Sequence, residues 1–475
     1  MGTIASSGST IVTAKTGRFR RRLVIGIIGL VLLLVGGGLA LSGLFTGGSA
    51  TTGGQDAVAV PEADLPDLGA AVPVLASLSS DAPVPDPGVL SAKLTPLLTA
   101  SGLGSGVSAE VVDVASRKVL LDLDAADPAT PASTAKLLTA VAALTTLDPA
   151  QTIETKVVAG ATPGEVVLVG GGDPTLSRTA PSQTYPGAPT VAALAKQVVA
   201  AMPAGTPVSR IVVDSSLYSG PLTASGWGAA DAPSSYAAPV TATSVDGARV
   251  SPGSQMRSGQ PGLDAGAALA DALGTPGANI VLGQAPAGAK TLATVHSAPI
   301  SRLVEQALSM SDNMLAEALS RQVALALHKP ASFEGAAQAI TEALSKDGVD
   351  ITGVALSDGS GLSQNDKVPA RVLTAAVSGA ADGSLHGASA LLSGLPVAGY
   401  DGTLFDRGEA GAAPGTVRAK TGTLLGVHAL AGTAVTADGR LLAFAVVADA
   451  STGGDVAAES ALDDVAAALA GCGCR

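Results

Sequence analysis

Three short polar motifs must meet in one pocket if this chain is to use them, and that requirement constrains its fold more than any other feature. In chain order the motifs are Ser133-Thr134-Ala135-Lys136, Ser311-Asp312-Asn313 and Lys420-Thr421-Gly422. They supply a nucleophilic hydroxyl, a basic amine, groups that relay a proton and a cation that binds a carboxylate. These groups suffice for acyl transfer through a serine ester. The sequence therefore predicts that distant segments converge on one active site.

Each motif taken alone has an ordinary structural interpretation. Ser133 and Lys136 suit a helix start, and Lys420 suits a charge on an edge strand. A second Lys-Thr-Gly, at residues 15–17, precedes an apolar segment and carries no catalytic meaning. The order of the three motifs and their local settings favour the functional interpretation.

The first motif is predicted at the start of a helix. Pro131 precedes Ser133, which suits a helix entry, and a largely apolar run follows to Leu144. Residues three apart share a helix face, so we expect Ser133 and Lys136 to meet. The positive end of the helix dipole favours negative charge at Ser133.

The other two motifs are predicted at a turn and at a strand end. Ser311-Asp312-Asn313 interrupts an apolar-periodic stretch at residues 300–327, which indicates a turn that faces a cleft. Lys420-Thr421-Gly422 is predicted to end a strand that begins at Gly415. Gly422 is predicted to leave room for close backbone approach to a ligand.

The residue types assign a role to each side chain. Ser133 is the predicted nucleophile, and Lys136 is its predicted base. A free lysine titrates near 10.4, so half-neutrality at pH 7 requires a pKa drop of about 3 units. Burial and a second cation, Lys420, are the expected causes of that drop. Ser311 is predicted to pass a proton between Lys420, Lys136 and the leaving amine, and Asn313 is predicted to contact the substrate amide or Lys136.

A second group of residues is predicted to bind the substrate. Lys420 is the predicted clamp for a terminal carboxylate, and Thr421 and Thr423 offer hydroxyl groups beside it, with Gly422 between them. The backbone N–H groups of Ser133 and Thr423 are the predicted oxyanion donors. A cation beside a strand predicts an extended peptide with a free C-terminal carboxylate, which adds to the sheet edge.

Composition argues against several other classes of function. The four histidines are widely scattered, so we expect no zinc site, and no cofactor is required. A formal charge of −12 argues against a nucleic-acid partner. The two cysteines, Cys472 and Cys474, lie among the last four residues. We expect them to form a free tail rather than a disulfide framework.

The N-terminal region predicts attachment to a membrane. Residues 1–22 carry clustered basic side chains, and residues 23–45 are uncharged. At 1.5 Å per residue that segment spans roughly 34 Å, enough for a hydrocarbon core of about 30 Å. We expect a transmembrane anchor, and a cleaved signal peptide is the alternative. Both interpretations place the remaining chain outside the cytoplasm.

The rest of the chain is predicted to form a flexible linker and two structural parts. The linker covers residues 46–85, the catalytic domain covers residues 86–152 and 294–475, and the inserted domain covers residues 153–293. Strands near the start of the catalytic part and near its end are expected to share one sheet, with helices on both faces. The expected fold is therefore α/β, an α+β sheet flanked by helices, with an insertion.

At this point the residues resemble the penicillin-binding D-Ala-D-Ala carboxypeptidase/endopeptidase family, the class C low-molecular-mass type. The three motifs are shared with class A β-lactamases and penicillin-binding proteins. The resemblance covers residues 86–469, and four further stretches carry it: residues 169–176, 226–240, 358–363 and 417–424. It implies a penicillin-recognising β-lactamase/transpeptidase-like domain with an inserted smaller domain. The Ala-, Gly- and Val-rich, Lys-poor composition is similar to that of actinobacterial proteins.

The resemblance also implies a function. Such an enzyme removes the terminal D-Ala from peptidoglycan stem peptides, sometimes cuts cross-links, and binds β-lactam antibiotics as covalent inhibitors. The implied roles of Ser133, Lys136, Ser311, Asn313 and Lys420 match those assigned above. Two alternatives are a β-lactamase and an inactive peptidoglycan-binding envelope protein. A class A β-lactamase needs a deacylating glutamate in a Glu-x-x-x-Asn setting, which this sequence lacks.

Overall fold

The computed structural model describes residues 81–407 and 413–475. Its strands are β1 (Val107–Asp113), β2 (Val119–Leu123), β3 (Pro128–Ala129), β4 (Glu154–Ala159), β5 (Glu165–Val169), β6 (Arg210–Asp214), β7 (Asn279–Leu282), β8 (Thr291–His296), β9 (Val368–Pro369), β10 (Val417–Leu424), β11 (Val427–Val435) and β12 (Leu441–Ala448). Its helices are α1 (Pro87–Leu98), α2 (Lys136–Thr146), α3 (Val191–Ala201), α4 (Pro261–Ala272), α5 (Ile300–Ser309), α6 (Asn313–Ala326), α7 (Phe333–Lys346), α8 (Ala370–Asp382), α9 (Ala390–Gly394) and α10 (Asp455–Ala470).

The first and last strands of the described chain share one sheet, in the order β10-β11-β12-β1-β2, with all neighbours antiparallel. Side chains of β12 alternate between two cores, as the pleat requires. Leu442, Phe444 and Val446 pack with α1 and α10 on one face. Ala443, Ala445 and Val447 pack with α2 and α5–α8 on the other face. The prediction of a sheet flanked by helices is confirmed.

A second five-stranded sheet lies between α2 and α5 in the chain, in the order β7-β6-β5-β4-β8. Strands β5, β6 and β7 are parallel, and β4 pairs antiparallel with both β5 and β8. Helices α3 and α4 pack on one face of this sheet through valine, leucine and alanine side chains. The chain leaves and returns at the same place, where the Ser297 N–H donates to the Ile153 carbonyl (2.9 Å).

Two of the motifs lie in local structure that differs from the prediction. Ser133 lies in a 3-10 turn (Ala132–Ala135), and the α-helix begins only at Lys136. Lys420-Thr421-Gly422 lies inside β10 rather than at its end, because β10 continues to Leu424 and pairs with β11 along its whole length.

The prediction of a free C-terminal tail is wrong. Cys472 and Cys474 form a disulfide, and both are buried against α1 and α10. The Asp86 N–H donates to the Cys474 carbonyl (2.8 Å), and Arg475 forms an ion pair with Asp438 (2.6 Å). The tail is therefore docked on the body of the protein.

The predicted anchor at residues 23–45 lies outside the described residues. Among the helices of residues 81–407 and 413–475, none combines the length and the apolar character needed to cross a bilayer.

Candidate active site

The nucleophile candidate lies on a tight turn between β3 and α2. Ala132 adopts a φ of 47°, a left-handed value that residues with a Cβ rarely take. The Thr134 hydroxyl donates to the Pro131 carbonyl (2.6 Å) and closes the turn. Helix α2 then begins at the buried Lys136, three residues after Ser133. Backbone strain of this kind is typical of functional sites.

Two glycines let neighbouring segments pack on this turn. A Cβ on Gly422 of β10 would lie 2.8 Å from the Pro131 carbonyl oxygen and 3.2 Å from the Ser133 nitrogen. A Cβ on Gly361 would lie 1.9 Å from the Ala132 carbonyl oxygen. The space beside Gly422 is therefore filled by the nucleophile turn, whereas the sequence interpretation assigned it to a ligand.

Lys136 connects the first two motifs. Its Nζ lies 2.8 Å from Ser133 Oγ and 2.6 Å from Asn313 Oδ1, a residue 177 positions away in the chain. Its third partner is the Ser360 carbonyl, at 2.6 Å. Sequence reasoning missed the Ser360 carbonyl, because no motif marks a backbone oxygen.

The pKa of Lys136 is lowered to about 8, chiefly because burial disfavours the charged amine. Four carboxyl groups oppose this effect by favouring the charge; in order of influence they are those of Asp358, Glu317, Asp312 and Asp366. With this pKa, roughly a tenth of the lysine is neutral at pH 7. Burial rather than a second cation is the main cause of the lowered value.

Lys420 lies on strand β10, close enough to Lys136 for the charge of one amine to act on the other. Its amine is buried and donates to the Thr421 carbonyl (2.8 Å). Burial, and then the neighbouring charges of Lys136 and Arg407, hold the pKa of Lys420 well below its ordinary value. The Thr421 hydroxyl donates to Thr403 Oγ1 (2.9 Å), while Thr423 is exposed on the same strand.

The second motif forms the predicted turn, between α5 and α6. Ser311 adopts a φ of 52°, and Asn313 begins α6. The Asn313 Nδ2 donates to the Tyr236 carbonyl (3.1 Å), which leaves its Oδ1 facing Lys136. Within residues 81–407 and 413–475, the Ser311 hydroxyl forms no hydrogen bond with a protein group. The structure thus joins Asn313 to Lys136, and the relay role of Ser311 stays a prediction.

Asp312, between these two residues, is held by a group that we name the Asp312 cluster: Asp312, Tyr185, Arg249 and Arg257. The Tyr185 hydroxyl donates to Asp312 Oδ2 (2.7 Å). Arg249 and Arg257 form ion pairs with the carboxylate at 3.7 and 3.4 Å. All three partners come from the chain between β5 and α4, so this inserted region fixes the turn that carries Ser311 and Asn313.

A second buried group, which we name the Asp358 cluster, lies behind Lys136: Asp358, Glu317, Asp366 and Arg321. Each of these residues is at most 1% exposed. Glu317 and Arg321 pair one turn apart on α6 (2.9 Å). Burial and the negative charge of Asp358 raise the pKa of Glu317 to about 7 and that of Asp366 to about 10. The sequence singles out residues 358–363 only through the family resemblance, and no sequence signal marks Glu317 or Asp366 as part of the site.

Comparison with known proteins identifies the family to which this chain is similar. A profile of the D-Ala-D-Ala carboxypeptidase 3 (S13) family matches residues 90–261 and 252–469. A carboxypeptidase of Mycobacterium tuberculosis is 40% identical over 427 residues, which is 87% of this chain and 87% of that protein. The carboxypeptidase DacB of Mycolicibacterium smegmatis is 40% identical over 468 residues, covering 96% of this chain and 99% of that protein.

The fold also matches a solved structure. Penicillin-binding protein 4 (dacB) from Haemophilus influenzae superposes with a TM-score of 0.64 at 23% identity. The match covers 80% of this chain and 98% of that protein. The predicted architecture, with its sheet, flanking helices and insertion, is the fold of that protein.

Proposed function

This chain belongs to the D-Ala-D-Ala carboxypeptidase 3 (S13) family, and on that premise we propose how its own residues carry out the reaction. It is a serine-type D-Ala-D-Ala carboxypeptidase that acts on peptidoglycan stem peptides through a serine acyl-enzyme, and it binds penicillin covalently. The observation that carries the residue assignment is the contact of Lys136 Nζ with both Ser133 Oγ and Asn313 Oδ1.

In the proposed acylation step, Ser133 Oγ attacks the carbonyl carbon between the two D-Ala residues. Its proton passes to the neutral amine of Lys136, and a tetrahedral oxyanion forms. The N–H groups of Ser133 and Thr423 are the proposed donors to that oxyanion, a contribution of about 10² to 10³ in rate per donor. Collapse of the intermediate breaks the C–N bond and leaves an ester on Ser133.

The departing D-Ala amine must gain a proton as the C–N bond breaks. We assign this delivery to Lys136, now protonated, with the Ser311 hydroxyl as relay. Water then attacks the ester carbonyl, and the same base accepts a proton from that water. The products are free D-Ala and a peptide shortened by one residue, and Ser133 recovers its hydroxyl proton.

The substrate carboxylate has a second role in this scheme. In the free protein burial holds the pKa of Lys420 well below its ordinary value, and the positive charge of Lys136 lowers it further. A carboxylate beside Lys420 stabilises the charged form of Lys420. Repulsion between the two amines then favours neutral Lys136. Binding of an anionic peptide therefore prepares the base.

Strand β10 supports an extended substrate, because it is the edge strand of the central sheet. Residues 396–398 already pair with its first part, through Val397 and Arg418. The part of the edge near Thr421 and Thr423 is the proposed docking strand for the stem peptide. Cutting of cross-links, as a D,D-endopeptidase, is a proposed extension of the same acylation chemistry.

The experiment is to incubate the protein with fluorescent penicillin, and separately with purified muropeptides analysed by mass spectrometry. We expect a stable adduct on Ser133 that is lost in Ser133→Ala, loss of terminal D-Ala from the muropeptides, and slower reaction of peptides with an amidated C-terminus. Rapid turnover of penicillin would indicate a β-lactamase. Absence of an adduct would indicate an inactive peptidoglycan-binding protein.

For localisation we propose a single-pass cell-membrane protein with its catalytic part outside the cytoplasm. The support is the basic cluster of residues 15–22 followed by the uncharged segment 23–45. Fractionation of cells that make the full chain, compared with a chain lacking residues 1–45, tests this. Recovery of the full chain in the soluble cytoplasmic fraction would contradict it.

A further inference from the structure

The orientation of the Lys136 amine depends on an oxygen outside the three motifs. A neutral amine has two hydrogens and one lone pair. Asn313 Oδ1 and the Ser360 carbonyl, each 2.6 Å away, accept hydrogen bonds and have no proton to give. They take both hydrogens, so the lone pair is left facing Ser133 Oγ at 2.8 Å. The position of the Ser360 carbonyl therefore decides whether Lys136 can act as a base.

Asp358 holds the loop that carries this carbonyl. Its Oδ1 accepts hydrogen bonds from the N–H groups of Ser360 (3.0 Å) and Gly361 (2.6 Å). Its Oδ2 accepts from the Ser363 N–H (2.8 Å) and from Trp227 Nε1 (2.7 Å). Four donors on one fully buried carboxylate fix the loop, and hydrogen bonds to an ionised group are roughly twice as strong as neutral ones.

The same loop is held from α6 and α2. The Gly359 N–H donates to Glu317 Oε1 (3.1 Å), and the Thr139 hydroxyl donates to the Gly359 carbonyl (2.6 Å). A Cβ on Gly359 would lie 2.6 Å from the Ser320 Cβ, so the loop is pressed against α6. The carboxylate of Asp358 is thus built into the wall directly behind the base.

We propose that Asp358 is a positioning residue for acylation, because it fixes the loop whose Ser360 carbonyl orients the Lys136 amine. This inference rests on the proposed function and deepens it. The groups that face Lys136 are the carboxyls of Asp358, Glu317, Asp312 and Asp366 and the amine of Lys420; Arg321 neutralises part of the Glu317 charge.

The direction of the pH effect follows from the charges. Lys136 must be neutral to accept the Ser133 proton, so acylation rises with pH through the pKa of Lys136, about 8. Asp358 has the largest influence among the carboxyls that raise this pKa. Its replacement by asparagine removes one negative charge, which lowers the pKa of Lys136. The acid limb of the pH–rate profile must therefore move to lower pH.

The experiment measures penicillin acylation of the full chain from pH 5 to pH 10 in Asp358→Asn. The asparagine side chain turns an N–H₂ group towards two of the N–H donors that the Asp358 carboxylate accepted. The loop that carries the Ser360 carbonyl therefore shifts. We expect the rate constant of acylation to fall about 100-fold, the effect of displacing a catalytic group by about 1 Å. We expect the acid limb to move down by about one pH unit.

Asp113→Asn is the matched control. Asp113 is also fully buried, it pairs with Arg440 at the end of β1, and it is not among the four carboxyls named above as raising the pKa of Lys136. We expect this variant to lower the melting temperature without moving the acid limb. The inference would be overturned if the acid limb of the pH–rate profile were the same in Asp358→Asn as in the unaltered protein. It would also be overturned if Asp113→Asn moved the acid limb by the same amount.

A milder variant covers the case in which Asp358→Asn does not fold. Trp227→Phe removes one donor to Asp358 and retains the carboxylate and an aromatic ring. We expect the acylation rate constant at saturating penicillin to fall about tenfold, near the lower end of the effect of a lost hydrogen bond to an ionised group, with an unmoved acid limb. An unchanged rate constant would overturn the inference. If the unaltered protein acquired no penicillin at all, the proposed function itself would fail.

Discussion

The two buried clusters beside the active site contain the same kinds of side chain in opposite proportions. The Asp312 cluster sets one carboxylate against two guanidinium groups and a phenol, whereas the Asp358 cluster sets three carboxyl groups against one guanidinium. Burial by itself raises the pKa of a carboxyl group in both places. Arg257 and Arg249 outweigh that effect and lower the pKa of Asp312, while Glu317 and Asp366 titrate near 7 and 10.

The difference shows that neighbouring charges rather than depth determine what a buried acid does. The Asp312 carboxylate is ionised and joins the inserted region to the turn of Ser311 and Asn313. In the Asp358 cluster the excess of negative charge favours retention of a proton, and the same excess acts on Lys136. The ionised Asp312 therefore stabilises the folded state. In the Asp358 cluster, ionisation of Glu317 and Asp366 destabilises the folded state.

The largest expected effect is from Asp312→Asn. This change leaves the buried Arg249 and Arg257 without their anion, and breaking a buried ion pair in this way costs about 3–5 kcal/mol. The folded-state pKa of Asp312 is lowered, so its stabilisation is present above the unfolded pKa of about 3.9 and is lost as pH falls through the folded value. Urea unfolding at pH 7, followed by circular dichroism, measures the loss.

Asp382→Asn is a control for this variant, because Asp382 pairs with Arg117, whose side chain is 64% exposed. A pair of that kind contributes about 1 kcal/mol or less. Equal losses in the two variants would remove the distinction drawn for the Asp312 cluster.

The next effect has the opposite sign and comes from Asp366→Asn. Asp366 Oδ2 is buried without a hydrogen-bond donor among the described residues, and Asp358 lies beside it, an arrangement that suits a protonated acid. Asparagine resembles that protonated form and retains an oxygen for the Ser357 N–H (2.6 Å). We expect the variant to be as stable as the unaltered protein at pH 4 and more stable than the unaltered protein at pH 8.

The sign follows from the raised pKa. Between the unfolded value, near 3.9, and the folded value, about 10, the folded protein binds more protons, so its stability falls as pH rises. Thermal unfolding at several pH values measures this slope, which should be shallower in Asp366→Asn. An unchanged slope would show that Asp366 does not retain its proton.

The smallest effect is expected for Tyr185→Phe. The change removes one hydrogen bond to Asp312 Oδ2 and the acceptor of a hydrogen bond from Arg249 Nη1 (3.0 Å), while both arginines still face the carboxylate. A lost hydrogen bond to an ionised group costs about 1.5–3 kcal/mol, and the lower end applies because Arg249 remains beside that oxygen. Urea unfolding again measures it. A loss as large as that of Asp312→Asn would show that the phenol, rather than the two cations, holds the carboxylate.

Local spacing predicted much of the fold and part of the site. The three-residue separation of Ser133 and Lys136 and the polar interruption at Ser311 were sufficient to place a lysine beside a serine and a turn before α6. The shared sheet of first and last strands was also correctly predicted. Each of these inferences uses residues that are neighbours in the chain or a repeating pattern of apolar side chains.

The Asp358 cluster could not be predicted in that way. Glu317, Asp358 and Trp227 come from three separate segments, and their contacts depend on how the segments pack. No periodicity distinguishes a buried aspartate that accepts four N–H groups from an exposed one in a loop. The docked tail was missed for a similar reason, since its partners Asp86 and Asp438 are distant in sequence.

The Asp86 N–H donates a hydrogen bond to the Cys474 carbonyl. The beginning and the end of the catalytic body touch, so its backbone is almost a closed ring. A short peptide bridge between them, with new termini opened in the exposed turn at residues 203–206, gives a circularly permuted enzyme with every wall of its pocket retained.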